Sequence, residues 1–182
     1  MTVAARVQQF IERMTAAAGT VTQVATRDAI MDAVIDYREA LGLQGPVAAA
    51  PALADLAWPA HWPMTIGAAA DGHELGVAQA DLGIAETGSL LMASSPQSPN
   101  TLHYLPEYEV VCLNAERIVA TLAAALSRFN ADNMPRALNL LTGPSRTADV
   151  EQTMQLGAHG PRALHVIIEA SCGPSRSVAA TS

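Results

Sequence analysis

The sequence predicts an α/β protein built on an open, mostly parallel sheet with helices on both faces. Three observations carry this. Continuous apolar runs at 109–113 (EVVCL), 137–142 (ALNLLT) and 163–169 (ALHVIIE) have the character of strands buried on both faces. Segments of helical periodicity alternate with them, which favours parallel strands joined by crossover helices. The chain has 182 residues, half of them apolar. That length suits one domain with a core of its own, expected over 1–170.

The elements follow in order. Val3, Val7, Phe10, Ile11 and Met14 recur at three- and four-residue steps, so an amphipathic helix is expected up to about Gly19. Residues 21–25 (VTQVA) suit a short strand. Thr26 is placed as the N-cap of a second helix, with Asp28 in its first turn. Ile30, Met31, Val34, Ile35 and Leu41 line its buried face, and Gly42 ends it. Four prolines and two tryptophans interrupt 43–74, where one strand near 46–50 and otherwise irregular chain are expected, with a turn at 70–74. Residues 75–94 mix Gly with β-formers and read as two or three short strands bent around Gly83. Residues 94–101 read as a loop. After the strand at 109–113, Asn114 is placed as a cap, and Ile118, Val119, Leu122, Ala123, Leu126 and Phe129 form a helical stripe. A third helix is expected from Thr147 to about Leu156, with Gly157 at its end. Residues 171–182 are small and polar and read as a flexible tail.

Composition excludes several chemistries. All ten basic residues are Arg, and there is no Lys. A lysine Schiff base and a Lys-containing phosphate loop are therefore impossible. A formal charge of −7 with scattered Arg does not suit nucleic-acid binding. No apolar run reaches the ~20 residues needed to span a membrane. The first residues lack the apolar stretch of a signal peptide, so a cytoplasmic protein is expected. Cys112 and Cys172 are too few to ligate an iron–sulfur cluster within the chain, so no cofactor is expected in it.

Three segments carry candidate chemistry. In Gly83-Ile84-Ala85-Glu86-Thr87-Gly88-Ser89, a carboxylate lies between apolar residues and Thr-Gly-Ser. Either Glu86 is held at a pocket as acid, base or nucleophile, with Thr87, Gly88 and Ser89 around the ligand, or it is an edge-strand carboxylate in water. The second segment is Thr142-Gly143-Pro144-Ser145-Arg146-Thr147. A turn from a parallel strand into a helix would offer free N–H groups at the carboxyl edge of the sheet. Gly143, Ser145, Arg146 and Thr147 could then hold an anion in the Arg fork. The alternative is ordinary capping by Thr147 with Arg146 on the surface. The third segment, Leu156-Gly157-Ala158-His159-Gly160-Pro161, fixes His159 in a turn as base, metal ligand, anion contact or plain surface residue. No second His or Cys stands at ligand spacing, which argues against a metal site. In a simple parallel topology the second and third turns fall at opposite sheet ends. They share one site only if the topology is not simple or a second copy of the chain contributes.

Taken together, ADLGIAETGSLLMAS (80–94), LPEYEVVCLNAERIV (105–119) and TGPSRTADVEQTMQLGAHGPRALHVIIE (142–169) resemble the lactate utilization protein C family, the LUD domain. The resemblance covers about 75–170. Where members usually carry an Arg after the TG-S/T strand and a His soon after Leu-Pro, this chain has SPQSPNTLHYLP and Glu109. The resemblance implies the fold shared by sugar-phosphate isomerases and CoA transferases, with extra β-structure around 75–94. It also implies iron–sulfur partner proteins that together convert lactate to pyruvate. The expectation is a non-redox subunit binding a small carboxylate or a phosphorylated ligand. A free-standing acyl or CoA transferase-like enzyme using Glu86, by analogy with the glutamate nucleophile of CoA transferases, and a small-molecule-binding regulator are the alternatives.

Overall fold

The computed structural model describes residues 1–130, 132–147, 155–156 and 160–170; at 146, 147, 155 and 156 it describes the backbone alone. Six strands form an all-parallel sheet in the order β1 (Thr20–Val24), β12 (Ala163–Glu169), β7 (Tyr108–Asn114), β4 (Leu75–Gln79), β2 (Val47–Ala49), β3 (Met64–Ile66). Every interior position of β7 and β12 is buried, so both faces of the sheet are covered.

Helix α1 (Val3–Ala16) buries Val7, Phe10 and Met14, and the Thr2 hydroxyl accepts from the Ala5 N–H at its start. Helix α2 (Ala29–Ala40) buries Ile30, Met31, Ala33, Val34 and the charged Arg38. Its N-cap is Asp28, not Thr26: the Arg27 carbonyl accepts from the Ile30 N–H at 3.0 Å, and the turn closes on backbone without a side-chain cap. Gly42, at φ +66°, ends the helix as expected.

A second sheet accounts for the extra β-structure and reorders the second half of the chain. Its order is β8 (Ile118–Val119), β5 (Leu82–Ile84), β6 (Ser89–Ala93), β9 (Leu138–Leu141). Helix α1 touches β1 of the first sheet and β6 and β8 of the second. The bend expected at Gly83 falls elsewhere, because Gly83 lies inside β5. A Cβ there would stand 2.8 Å from Leu113 and 3.1 Å from Ile118, so the missing side chain admits its neighbours.

Three expectations are corrected here. The helix expected from 118 to 129 is a 3-10 turn (Ala115–Arg117), strand β8 and the short helix α3 (Leu122–Leu126). Ile118 and Val119 are β-branched, and they pair with Gly83 and Ile84 instead of extending the helical stripe. The strand at 137–142 exists as β9, but it pairs antiparallel with β6 and stays out of the parallel sheet. The helix expected to begin at Thr147 is replaced at both ends: β10 (Arg146–Thr147) pairs antiparallel with β11 (Gln155–Leu156). Residues 148–154, His159 and the tail 171–182 lie outside the described residues. Among the described residues, no helix is long and apolar enough to cross a membrane.

Candidate functional site

The first motif segment is the tight connection between β5 and β6. The Gly88 N–H donates to the Ile84 carbonyl at 2.9 Å, and Gly88 adopts φ +68°. A Cβ at Gly88 would lie 2.4 Å from the Met14 nitrogen, so the turn presses against the backbone of α1. Glu86 is exposed. Its backbone N–H donates to the Ala120 carbonyl at 3.1 Å, and its Oε1 accepts from the Leu122 N–H at 2.6 Å. The carboxylate therefore holds the first turn of α3. That bond uses Oε1 alone and leaves the second carboxylate oxygen available.

Ser89 is buried and ties the first segment to the second. Its Oγ donates to Thr87 Oγ1 at 2.8 Å and lies 2.6 Å from Thr142 Oγ1. A hydroxyl has one proton, so with Ser89 donating to Thr87, Thr142 is the donor in the shorter bond. Gly143 then turns at φ +75°, and a Cβ there would meet the Ala17 carbonyl at 2.1 Å. Both motif glycines thus seat their turns on the carboxyl end of α1.

The second segment reaches the third through Ser145, whose N–H donates to the Pro161 carbonyl at 2.9 Å. The Ser145 Cβ stands 3.3 Å from the place a Cβ would take on Gly160. Pro161 leads into β12, so this meeting point lies at the amino-terminal edge of the parallel sheet. The expectation of a site at the carboxyl edge is corrected for that reason. Because β9 runs antiparallel to β6, its end delivers the turn to the edge where β12 begins. One chain brings the two turns together without a second copy.

A buried His–Glu pair that the sequence reading missed lies beside them. His103 Nδ1 and Glu109 Oε1 are 2.5 Å apart, and both side chains are fully buried. His103 Nε2 and Glu109 Oε2 have no hydrogen-bond partner. The His103 carbonyl faces Gly160. Burial pushes the Glu109 carboxyl above its usual range, and the hydrogen bond and charge of His103 oppose that shift. The signal available in the sequence was Glu109 itself, a carboxylate opening an otherwise apolar strand. Its partner, six residues away across a loop, follows no motif.

Of the remaining candidates, Arg146 and Thr147 are placed by backbone alone, in β10, and His159 lies outside the described residues. Cys112 is buried, and burial raises its thiol to about 12, which leaves it inert as a nucleophile. Among the described residues, no group of three or more His, Cys, Asp or Glu could hold a metal ion.

The LUD domain family model matches residues 63–168, more than half of the chain. The chain belongs to the LUD domain family. The match takes in all three motif segments and every strand from β3 to β12. Helices α1 and α2, with β1 and β2, precede it. The uncharacterized protein YkgG of Escherichia coli (strain K12) is 32% identical over 106 residues, covering 55% of this chain and 46% of that protein. Lactate utilization protein C of Geobacillus thermodenitrificans is 29% identical over 127 residues, covering 61% of this chain and 53% of that one. Lactate utilization protein C of Anoxybacillus flavithermus is 29% identical over 101 residues. This LUD domain chain spans about half the length of the curated relatives it matches. A crystal structure of a DUF162 family protein from Deinococcus radiodurans superposes with a TM-score of 0.66 at 19% identity, covering 94% of this chain and 99% of that one. The shared fold thus takes in the N-terminal helices as well.

Proposed function

We propose that this chain is a cytoplasmic, non-redox subunit that supports the oxidation of lactate to pyruvate and binds a small carboxylate or other anion. In this reading the two electrons leave lactate through iron–sulfur partner proteins, because two cysteines are too few to ligate a cluster within this chain. Relatives named lactate utilization protein C support the pathway. The observation that carries the binding role is the meeting of three sequence-distant motifs at one sheet edge. Ser89 joins Thr142, and Ser145 joins Pro161, beside a buried His103–Glu109 pair. Thr87, Gly88, Ser89, Gly143, Ser145, Arg146, Thr147 and His159 are the residues this reading gives to the ligand. The transferase alternative would use Glu86, whose Oε1 is bonded to the Leu122 N–H while its other oxygen is free among the described residues.

The test is affinity capture of the tagged chain from cells growing on lactate, done anaerobically, beside growth of a deletion strain. Cysteine-rich iron–sulfur proteins should co-purify, the chain freed of them should be colourless and iron-free, and the deletion strain should grow poorly on lactate alone. Normal growth on lactate with no such partner captured would overturn the proposal.

A further inference from the structure

A second place in the molecule has the makings of a binding site, away from the motif turns and before the segment matched by the family model. The carboxyl end of α2 and the chain entering β2 and β3 line a solvent-open cleft of about 200 Å³. Arg38, Trp62, Leu43, Gln44, Pro59 and His61 line it. Arg38 is 7% exposed and Trp62 is 9% exposed. The guanidinium lies over the Trp62 ring, 4.2 Å from its centroid.

Among the described residues, Arg38 is a buried cation with no carboxylate at ion-pairing distance. The ion pairs among the described residues are Arg27–Asp55, His103–Glu109 and Arg162–Glu107, and none involves Arg38. One of its five N–H donors is used, by the Gly45 carbonyl at 3.0 Å. Its Nε is buried with no partner. A buried charge left in this state is costly, and natural proteins pair such groups with an opposite charge. The stacking on Trp62 and the carbonyl end of α2 offset part of that cost. They leave the unused donors of a planar fork, the arrangement that grips a carboxylate.

We propose that this cleft is a binding site for a small monocarboxylate, held by the Arg38 guanidinium against the Trp62 ring. Size and charge select this class. The space holds several waters, which suits an acid of a few carbons. It is smaller than the ~300–1,000 Å³ of sites for larger ligands, which favours a small acid. Glu39 also lines the cleft and is exposed at its rim. Its charge works against a dianion more than against a monoanion, so propionate should bind more tightly than inorganic phosphate.

The test is an NMR titration of the full chain with propionate and, separately, with inorganic phosphate. The expected result is saturable shifts of the Trp62 indole N–H and of the Leu43 and Gln44 amides, at lower concentration for propionate. Arg38→Met keeps the stacking volume and removes the charge, and should weaken binding by at least about tenfold. Arg38→Lys should restore part of it, because an ammonium lacks the fork. Gln44→Glu adds a charge at the exposed rim, leaves the buried side chains in place and should also weaken binding, which covers the case of Arg38→Met failing to fold. Ser145→Ala, at the motif turns, should leave these shifts unchanged, so failure here is separable from failure of the proposed function. No saturable shift at these three signals, or shifts undiminished in a folded Arg38→Met or Gln44→Glu protein, overturns the proposal.

Discussion

His165 lies near the start of β12, 6% exposed, with its Nδ1 2.7 Å from the Thr20 hydroxyl and its ring stacked 4.6 Å from that of Tyr37. Burial brings its pKa down to about 4. In the unfolded chain the ring titrates near 6.5. Between those values the unfolded state takes up a proton that the folded state refuses. The contribution to stability is therefore complete above about pH 6.5, declines as the pH falls, and is gone below about pH 4. A shift of this size corresponds to about 3 kcal/mol. Urea unfolding followed from pH 7 to pH 4 should show the native chain losing stability faster than His165→Asn by about that amount. Parallel pH profiles of the two proteins would rule the linkage out. The candidate-site residues were legible in the sequence to unequal degrees. Gly88, Ser89, Gly143 and Ser145 stood out because turn residues in an unusual order mark positions where geometry is demanding. Their reason became visible only with α1 in place, since the contacts to Met14 and Ala17 cross more than seventy residues. Glu86 stood out as a carboxylate among apolar residues, and nothing in the sequence signals that its Oε1 also meets the Leu122 N–H at the start of α3.

At the scale of elements, the second sheet is seated on the carboxyl end of α1 by two glycine turns. Ala at position 88 or 143 would meet α1 backbone atoms at 2.4 Å or 2.1 Å, at φ values that L residues adopt with strain. Gly42 also has positive φ, +66°, but nothing lies within 4 Å of its would-be Cβ. Gly88→Ala and Gly143→Ala should therefore each cost more than ~2 kcal/mol, and Gly42→Ala only about 1. Denaturant midpoints of the three variants check this. Equal losses at all three positions would mean that φ alone decides and the docking on α1 counts for nothing. The elements themselves were legible where one signal dominated. β7 and β12 are continuous apolar runs and fall where the pattern puts them. The stripe 118–129 failed because Ile118 and Val119 satisfy helical and strand spacing alike, and only their pairing with β5 decides between the two. β9 was recognisable as a strand, but an apolar run does not name its partner. Its antiparallel pairing with β6 changed the edge at which the site forms.

At the scale of the molecule, the strand nearest the end of the described chain lies inside the sheet. β12 is hydrogen-bonded to β1 along Thr20–Val24 and to β7 along Tyr108–Asn114. It therefore joins residues more than 140 positions apart, and among the described residues β1 has no other neighbour in its sheet. Leu164, Val166, Ile167 and Ile168 are each at most 1% exposed. At roughly 1.5–3 kcal/mol per buried side chain, these four supply about 6–12 kcal/mol. That matches the whole net stability of a typical domain, about 5–15 kcal/mol. A chain ending at residue 156 should therefore lack a cooperative thermal transition and bind a hydrophobic dye, because β1 loses its partner and β7 exposes an edge. A chain ending at Ala170 retains β12 and drops only twelve small and polar residues, so its melting midpoint should stay within a few degrees of the full chain's. The pair of truncations separates two causes. If the chain ending at Ala170 also fails to melt cooperatively, the last twelve residues contribute to the fold. If the chain ending at 156 still melts as one unit, β12 is an accessory strand, and the remaining elements form a core without it.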